Sequence, residues 1–119
     1  MGHAKYFRLT AGSVPFTVRD FADELKRADH FKRHGGEFDP AFASAEDYEA
    51  AAVAFLTAPL IGRIMEGERR NGQVRRFNPD TDELAICDRN GVLKTYFRPD
   101  PNRHKQKDNV TYFKKECLK

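Results

Sequence analysis

Residues 72–98, GQVRRFNPDTDELAICDRNGVLKTYFR, decide the architecture of this chain. Up to Gly72 apolar residues recur at helical spacing; beyond it they alternate with polar ones, the period of a half-buried strand. Residues 73–78, 83–88 and 92–98 read as three strands. Asn78-Pro79-Asp80-Thr81-Asp82 joins the first two, and Asn90-Gly91 is a type I′ hairpin signal between the second and third. Residues 110–116 (VTYFKKE) read as a fourth strand, reached through the long polar loop PDPNRHKQKDN.

Working back toward the start, Leu60, Ile61, Ile64 and Met65 predict a short third helix. Residues from Ser44 to Pro59 predict a second, with Ser44 and Asp47 as its start signal and Tyr48, Ala51, Ala52, Phe55 and Leu56 on its apolar face. The first is expected to start at Thr17–Asp20, to carry Val18, Phe21, Ala22, Leu25 and Ala28 on one face, and to end at Gly35-Gly36. Residues 5–16 read as an extended arm ending at Pro15. The expectation is one α+β domain over 1–119: an arm (1–16), a helical part (17–67) and N-terminal helices packed on a four-stranded antiparallel sheet (73–116).

At 119 residues the chain is long enough for a single modest core. With 33% charged residues but a net charge of only +3, it is not a general polycation, so its basic residues matter through where they cluster. They gather at Arg69, Arg70, Arg75 and Arg76 and again over residues 94–119, whereas 44–50 (SAEDYEA) are acidic. This suits a phosphate-facing groove, although a solvated basic face gives the same pattern. No run has transmembrane length, and the start, MGHAKYFRLT, lacks the apolar segment of a signal peptide. Cys87 and Cys117 are too few for a disulfide framework or a zinc site, and Cys87 reads as a small core residue.

The residues with chemical potential are His30 and His34, Arg75 and Arg76, Thr95 and Tyr112, a set suited to cleaving RNA without a metal. The histidines are four apart and share a helix face near its C-terminal end, where the macrodipole favours imidazolium. They are equally readable as polar residues closing an amphipathic helix. As metal ligands they lack the glutamate that marks a zincin helix and any obvious third ligand, so no metal site is expected. Glu37 and Asp39 follow closely enough to support a general base. Strand alternation puts Val74 with Arg76 and Arg75 with Phe77; an inward arginine needs a charged partner or a ligand, and phosphate suits guanidinium geometry. In the third strand Leu93, Thr95 and Phe97 share one face and Lys94, Tyr96 and Arg98 the other. Thr95 orients a phosphate oxygen if that face lines a cleft, and otherwise fills a strand site. Tyr112 and Phe113 either stack on a base or belong to the core.

Taken in order, HFKRHGGEF (30–38), EDYEAAAVAF (46–55), NGQVRRFNPDTDELAI (71–86), TYFRPD (95–100) and the closing Tyr112-Phe113 resemble the C-terminal toxin domains of bacterial polymorphic toxins. These include contact-dependent growth inhibition effectors of the CdiA type, within the barnase/EndoU/colicin/RelE superfamily of metal-independent ribonucleases. The resemblance spans roughly residues 25–116. It implies helices packed on an antiparallel sheet that carries the cleft, an RNA substrate, often transfer RNA, no cofactor and no metal. It implies export as part of a larger effector, action in the target-cell cytoplasm, a cognate immunity protein, no membrane insertion by this domain and a monomer. By motif it assigns catalysis to His30, His34, Arg76, Thr95 and Tyr112. Arg33, which stands where related runs carry lysine, joins Arg75, Lys94 and Arg98 as a substrate-binding residue.

Overall fold

The computed structural model describes residues 18–119; the expected arm at 5–16 lies outside them. The elements are β1 (Arg19–Phe21), α1 (Glu24–His34), α2 (Ala45–Thr57), β2 (Met65–Glu68), β3 (Val74–Asn78), β4 (Glu83–Cys87), β5 (Val92–Phe97), α3 (Pro101–His104) and α4 (Asn109–Cys117). A single 3-10 turn, Gly35–Glu37, follows α1. The class is α+β, but the sheet is five-stranded and mixed, in the order β1-β5-β4-β3-β2, with β1 parallel to β5 and the other neighbours antiparallel.

The three strands read from residues 72–98 are present, but the elements around them differ from the sequence reading. Residues 110–116 form a helix. Their β-branched and aromatic composition favours a strand, but the Asp108 carboxylate accepts the Thr111 N–H at 2.7 Å and caps α4. Val110, Phe113 and Cys117 then share one face, at i, i+3 and i+7, and pack beneath the sheet on Phe77, Leu84 and Ile86. The expected helix around Leu60–Met65 is absent; Met65–Glu68 is instead the edge strand β2, with Glu66 directly opposite Arg76. Residues 19–21 extend along β5 instead of starting α1, which begins at the stronger cap Asp23, whose carboxylate accepts the Lys26 N–H at 2.8 Å. The shift leaves Leu25, expected on the apolar face, 83% exposed.

Both faces of the sheet are covered. On one, Tyr48, Ala52 and Leu56 of α2 pack with Phe21, Val74, Ala85, Cys87, Leu93 and Tyr96. The Tyr48 hydroxyl donates to the Tyr96 carbonyl and the Tyr96 hydroxyl to the Glu83 carboxylate, so each buried phenol has a partner. Desolvation pushes both phenols far above their ordinary range. The other face is the α4 side. Buried Glu49 ties the edge down: one oxygen accepts the Phe21 N–H at 3.0 Å, the other the Arg27 guanidinium at 3.2 Å.

Two local geometries aim the side chains. The β4–β5 turn closes with the Gly91 N–H on the Asp88 carbonyl at 2.9 Å, and Gly91 alone in it has a positive φ, 85°. That is a type I turn with a glycine bulge, not the expected type I′. A second irregularity follows: Cys87 pairs with Leu93, but Ile86 pairs with Thr95. The extra residue turns Leu93 to the α2 side together with Tyr96, while Thr95 and Phe97 face the α4 side, so Leu93 and Thr95 do not share a face as simple alternation predicts.

Candidate functional site

The site grows out of the end of α1. The helix stops at His34 and tightens into the 3-10 turn, with Gly35 in ordinary right-handed conformation at φ −58°. Glycine is needed there for space, since a Cβ would lie 2.6 Å from the Phe31 ring. The tight turn brings Glu37 back beneath His34, and Nδ1 of His34 meets Oε2 of Glu37 at 3.0 Å. The other carboxylate oxygen accepts the Arg98 backbone N–H at 3.0 Å, and Nη1 of Arg98 donates to the Glu37 carbonyl at 3.1 Å. Glu37 thus locks the end of α1 to the end of β5.

A carboxylate on Nδ1 fixes the tautomer, leaving Nε2 as the ring nitrogen that acts as base or, once protonated, as acid. His34 Nε2 has no hydrogen-bond partner among the described residues. The imidazole is 15% exposed and packs on Phe97, ring centroids 5.4 Å apart.

This pair opens into a cleft of about 590 Å³ lined by His34, Glu37, Phe97, Arg98, Arg103, His104 and Tyr112, with Pro99 and Asp100 between them. Its far wall is the segment read from sequence as a polar loop and a strand. Asp100 caps α3 by accepting the Asn102 N–H at 2.9 Å, with Pro101 at the first helical position. His104 stacks on Tyr112, centroids 4.3 Å apart and planes 10° from parallel. Both His104 nitrogens are committed: Nδ1 accepts the Gln106 N–H at 3.0 Å and Nε2 donates to Asn109 Oδ1 at 2.8 Å. With both nitrogens engaged it serves as a stacking partner for Tyr112. Burial raises the Tyr112 phenol above its ordinary value, so it stays protonated through the neutral range. Arg103 is exposed, with no side-chain partner among the described residues. Arg98 is partly tethered, its Nη2 standing 3.9 Å from Asp82 Oδ2.

The residues proposed from sequence therefore divide. His34, Tyr112 and Arg98 come together in the cleft. His30 and Lys94 line a neighbouring hollow with Phe21, Lys26 and Asp29. Thr95 faces the α4 side opposite Ile86 and does not line the cleft. Arg33 points to solvent, held by Asp29 at 2.8 Å. His30 stacks on Phe21 at 5.1 Å, and desolvation, reinforced by the charges of Arg33, His34 and Lys26, lowers its pKa.

The two arginines do face opposite ways, but neither reaches the cleft. Arg76 was expected there. It is instead fully enclosed, donating through Nε and Nη2 to Glu66 Oε1 at 3.2 and 2.8 Å and through Nη1 to the carbonyls of Phe55 and Ala58. Those carbonyls end α2, so Arg76 caps a helix C-terminus from the sheet below. The charged partner that an inward arginine requires is Glu66, not a phosphate. Arg75 is 6% exposed on the α4 side, and burial lowers its pKa.

Arg103 and His104 went unnoticed in the sequence. The available signal was Asp100-Pro101, a cap followed by a helix-starting proline, which places the next turn of helix and its basic residues at the mouth of the cleft. Among the described residues no three His, Cys, Asp or Glu side chains form a metal-binding group, and no helix is long and apolar enough to cross a membrane. The sequence matches no protein-family profile and no curated protein.

Proposed function

We propose that this chain is a metal-independent ribonuclease that cuts by attack of a ribose 2′-oxygen on the adjacent phosphate. The observation that carries the reading is the His34 imidazole, oriented by Glu37, in one open cleft with Arg98, Arg103 and Tyr112. In this scheme Nε2 of His34 takes the 2′-hydroxyl proton as the 2′-oxygen–phosphorus bond forms. Glu37 stabilises the resulting imidazolium, as a buried carboxylate does for a catalytic histidine. Arg103, with Arg98 behind it, takes the phosphate role that the sequence assigned to Arg76, stabilising charge on the non-bridging oxygens. The bond from phosphorus to the 5′-oxygen breaks, and the Tyr112 hydroxyl supplies the proton that the leaving oxygen needs. A phenol remains a stronger acid than a ribose alcohol even when burial raises its pKa, so this transfer runs downhill. The imidazolium proton returns to Tyr112 through solvent. The products are a 2′,3′-cyclic phosphate and a 5′-hydroxyl.

The same reading makes the chain the toxin part of an exported effector acting on RNA, transfer RNA included, in a target-cell cytoplasm. Its protein partner is then an immunity protein presenting acidic side chains to the cleft. The test is incubation of the purified chain with total transfer RNA in excess EDTA, beside a His34→Ala variant. Cyclic-phosphate ends are expected from the parent, with cleavage by His34→Ala slower by roughly 10²–10⁴-fold. Activity that vanishes in EDTA and returns with magnesium overturns the scheme, and binding without turnover makes the chain an RNA-binding module instead.

A further inference from the structure

The hollow beside the cleft has no task in the chemistry above. It is lined by Phe21, Leu25, Lys26, Asp29, His30 and Lys94, among others, and has a volume of about 420 Å³. The two depressions share a wall. His30 and His34 stand side by side on α1 with ring centroids 5.9 Å apart, one lining each depression. β5 runs past both, with Lys94 at the hollow and Phe97, followed by Arg98, at the cleft.

The charges of the hollow are not balanced pair by pair. Its two carboxylates are occupied: Asp23 caps α1 through the Lys26 backbone N–H, and Asp29 holds Arg33 at 2.8 Å. Its two ammonium groups, on Lys26 and Lys94, have no hydrogen-bond or ion-pair partner among the described residues. Lys94 and Leu25 are exposed, Leu25 at 83%, so an apolar contact surface sits next to two uncommitted cations. Lys94 and Arg98 stand four residues apart, about 13 Å along an extended backbone, too far for one phosphate and suited to phosphates two nucleotides apart on an extended strand.

Building on the ribonuclease reading, we propose that the hollow is a second phosphate subsite for single-stranded RNA, the strand running along β5 from the cleft and over the His30–His34 ridge. Lys26 and Lys94 contact a phosphate beyond the scissile one, and Leu25 lies against a base between the two. The subsite makes affinity depend on strand length, whereas the cleft alone would bind a dinucleotide as well as an octamer.

The experiment measures binding, so it reads the subsite apart from turnover. Fluorescence anisotropy follows a labelled 2′-O-methyl octanucleotide, which lacks the attacking hydroxyl, with the parent chain and with Lys26→Ala/Lys94→Ala, over a range of salt concentrations. The parent is expected to bind the octamer more tightly than the matching dinucleotide, and the double variant to lose that advantage. Its dependence of log affinity on log salt should be shallower by about 0.7, the slope for one phosphate contact on a single strand. Equal octamer affinity and salt slope in parent and variant overturn the subsite, as does a parent that does not bind the octamer. Length-dependent binding through the lysines by a chain that leaves unmodified RNA intact keeps the subsite and refutes the ribonuclease.

Discussion

Replacing Arg76 by alanine separates two roles for the most conspicuous arginine pair in the chain. A phosphate ligand can be removed with the fold intact; a buried cap cannot. Arg76 and Glu66 are both fully enclosed, and the guanidinium also satisfies the Phe55 and Ala58 carbonyls at the end of α2. Arg76→Ala leaves the Glu66 carboxylate inside the protein without its guanidinium, two helix-end carbonyls short of a donor, and a void where the side chain lay. Breaking a buried pair in this way costs about 3–5 kcal/mol. At several degrees per kcal/mol for a domain of this size, that is a fall in Tm of roughly 10–20 °C. Removing both charges with Arg76→Met/Glu66→Leu should recover much of the loss, leaving about 1–3 kcal/mol for the carbonyls without a donor. Urea unfolding of the parent, Arg76→Met, Glu66→Leu and the double variant, followed by circular dichroism, measures the coupling directly. If Arg76→Ala lies within about 1 kcal/mol of the parent and has nevertheless lost RNA cleavage, Arg76 acts on substrate and the structural assignment is wrong.

Three further outcomes are expected. Glu37→Gln keeps an acceptor for the Arg98 N–H but removes the charge facing His34; kcat/KM for RNA should fall by up to about 10⁴-fold, the scale of loss when the carboxylate behind a catalytic histidine becomes an amide, with little change in Tm, and an unchanged pH–rate profile would argue against the dyad. His30 has its pKa depressed by desolvation and by Arg33, His34 and Lys26, with Asp29 opposing, so the unfolded chain binds the proton more readily; its contribution to stability is complete above the ordinary histidine pKa of about 6.5 and is lost as pH falls through that value toward the folded one. Tm should therefore drop more between about pH 7.5 and pH 5.5 in the parent than in His30→Phe, which keeps the stack on Phe21, and parallel curves would refute the assignment. Burial pushes the Cys117 thiol up to about 11 and Cys87 is also enclosed, so iodoacetamide should label neither at neutral pH until urea unfolds the chain, whereas rapid labelling of the folded protein would show that α4 opens.

Much of the architecture followed from local pattern. Alternation over residues 72–98 specified three strands because a half-buried strand must repeat every second residue, and Ser44 with Asp47 marked α2 because a helix start needs an acceptor for its free N–H groups. The face split of Arg75 and Arg76 was legible for the same reason. Local pattern misled where two readings competed: Val110–Phe113 has the composition of a strand, and the Asp108 cap with the apolar face it aligns against Phe77 and Ile86 decided for helix. The edge strands β1 and β2 were hidden because each is short and polar and exists through its pairing with a neighbour, as Glu66 shows by lying opposite Arg76.

The candidate site was less visible still. The sequence by itself brought His34, Glu37 and Tyr112 into consideration as residue types, since imidazole, carboxylate and phenol carry their chemistry wherever they sit. Which arginine reaches them depended on contacts between residues far apart in the chain. The end of α2 claims Arg76 through two carbonyls, the β5 irregularity turns Thr95 toward α4, and the α3 turn delivers Arg103 to the mouth of the cleft. Those outcomes were decided by burial and hydrogen-bond satisfaction in the folded chain, which act on the direction a side chain faces and leave little trace in the order of residues along it.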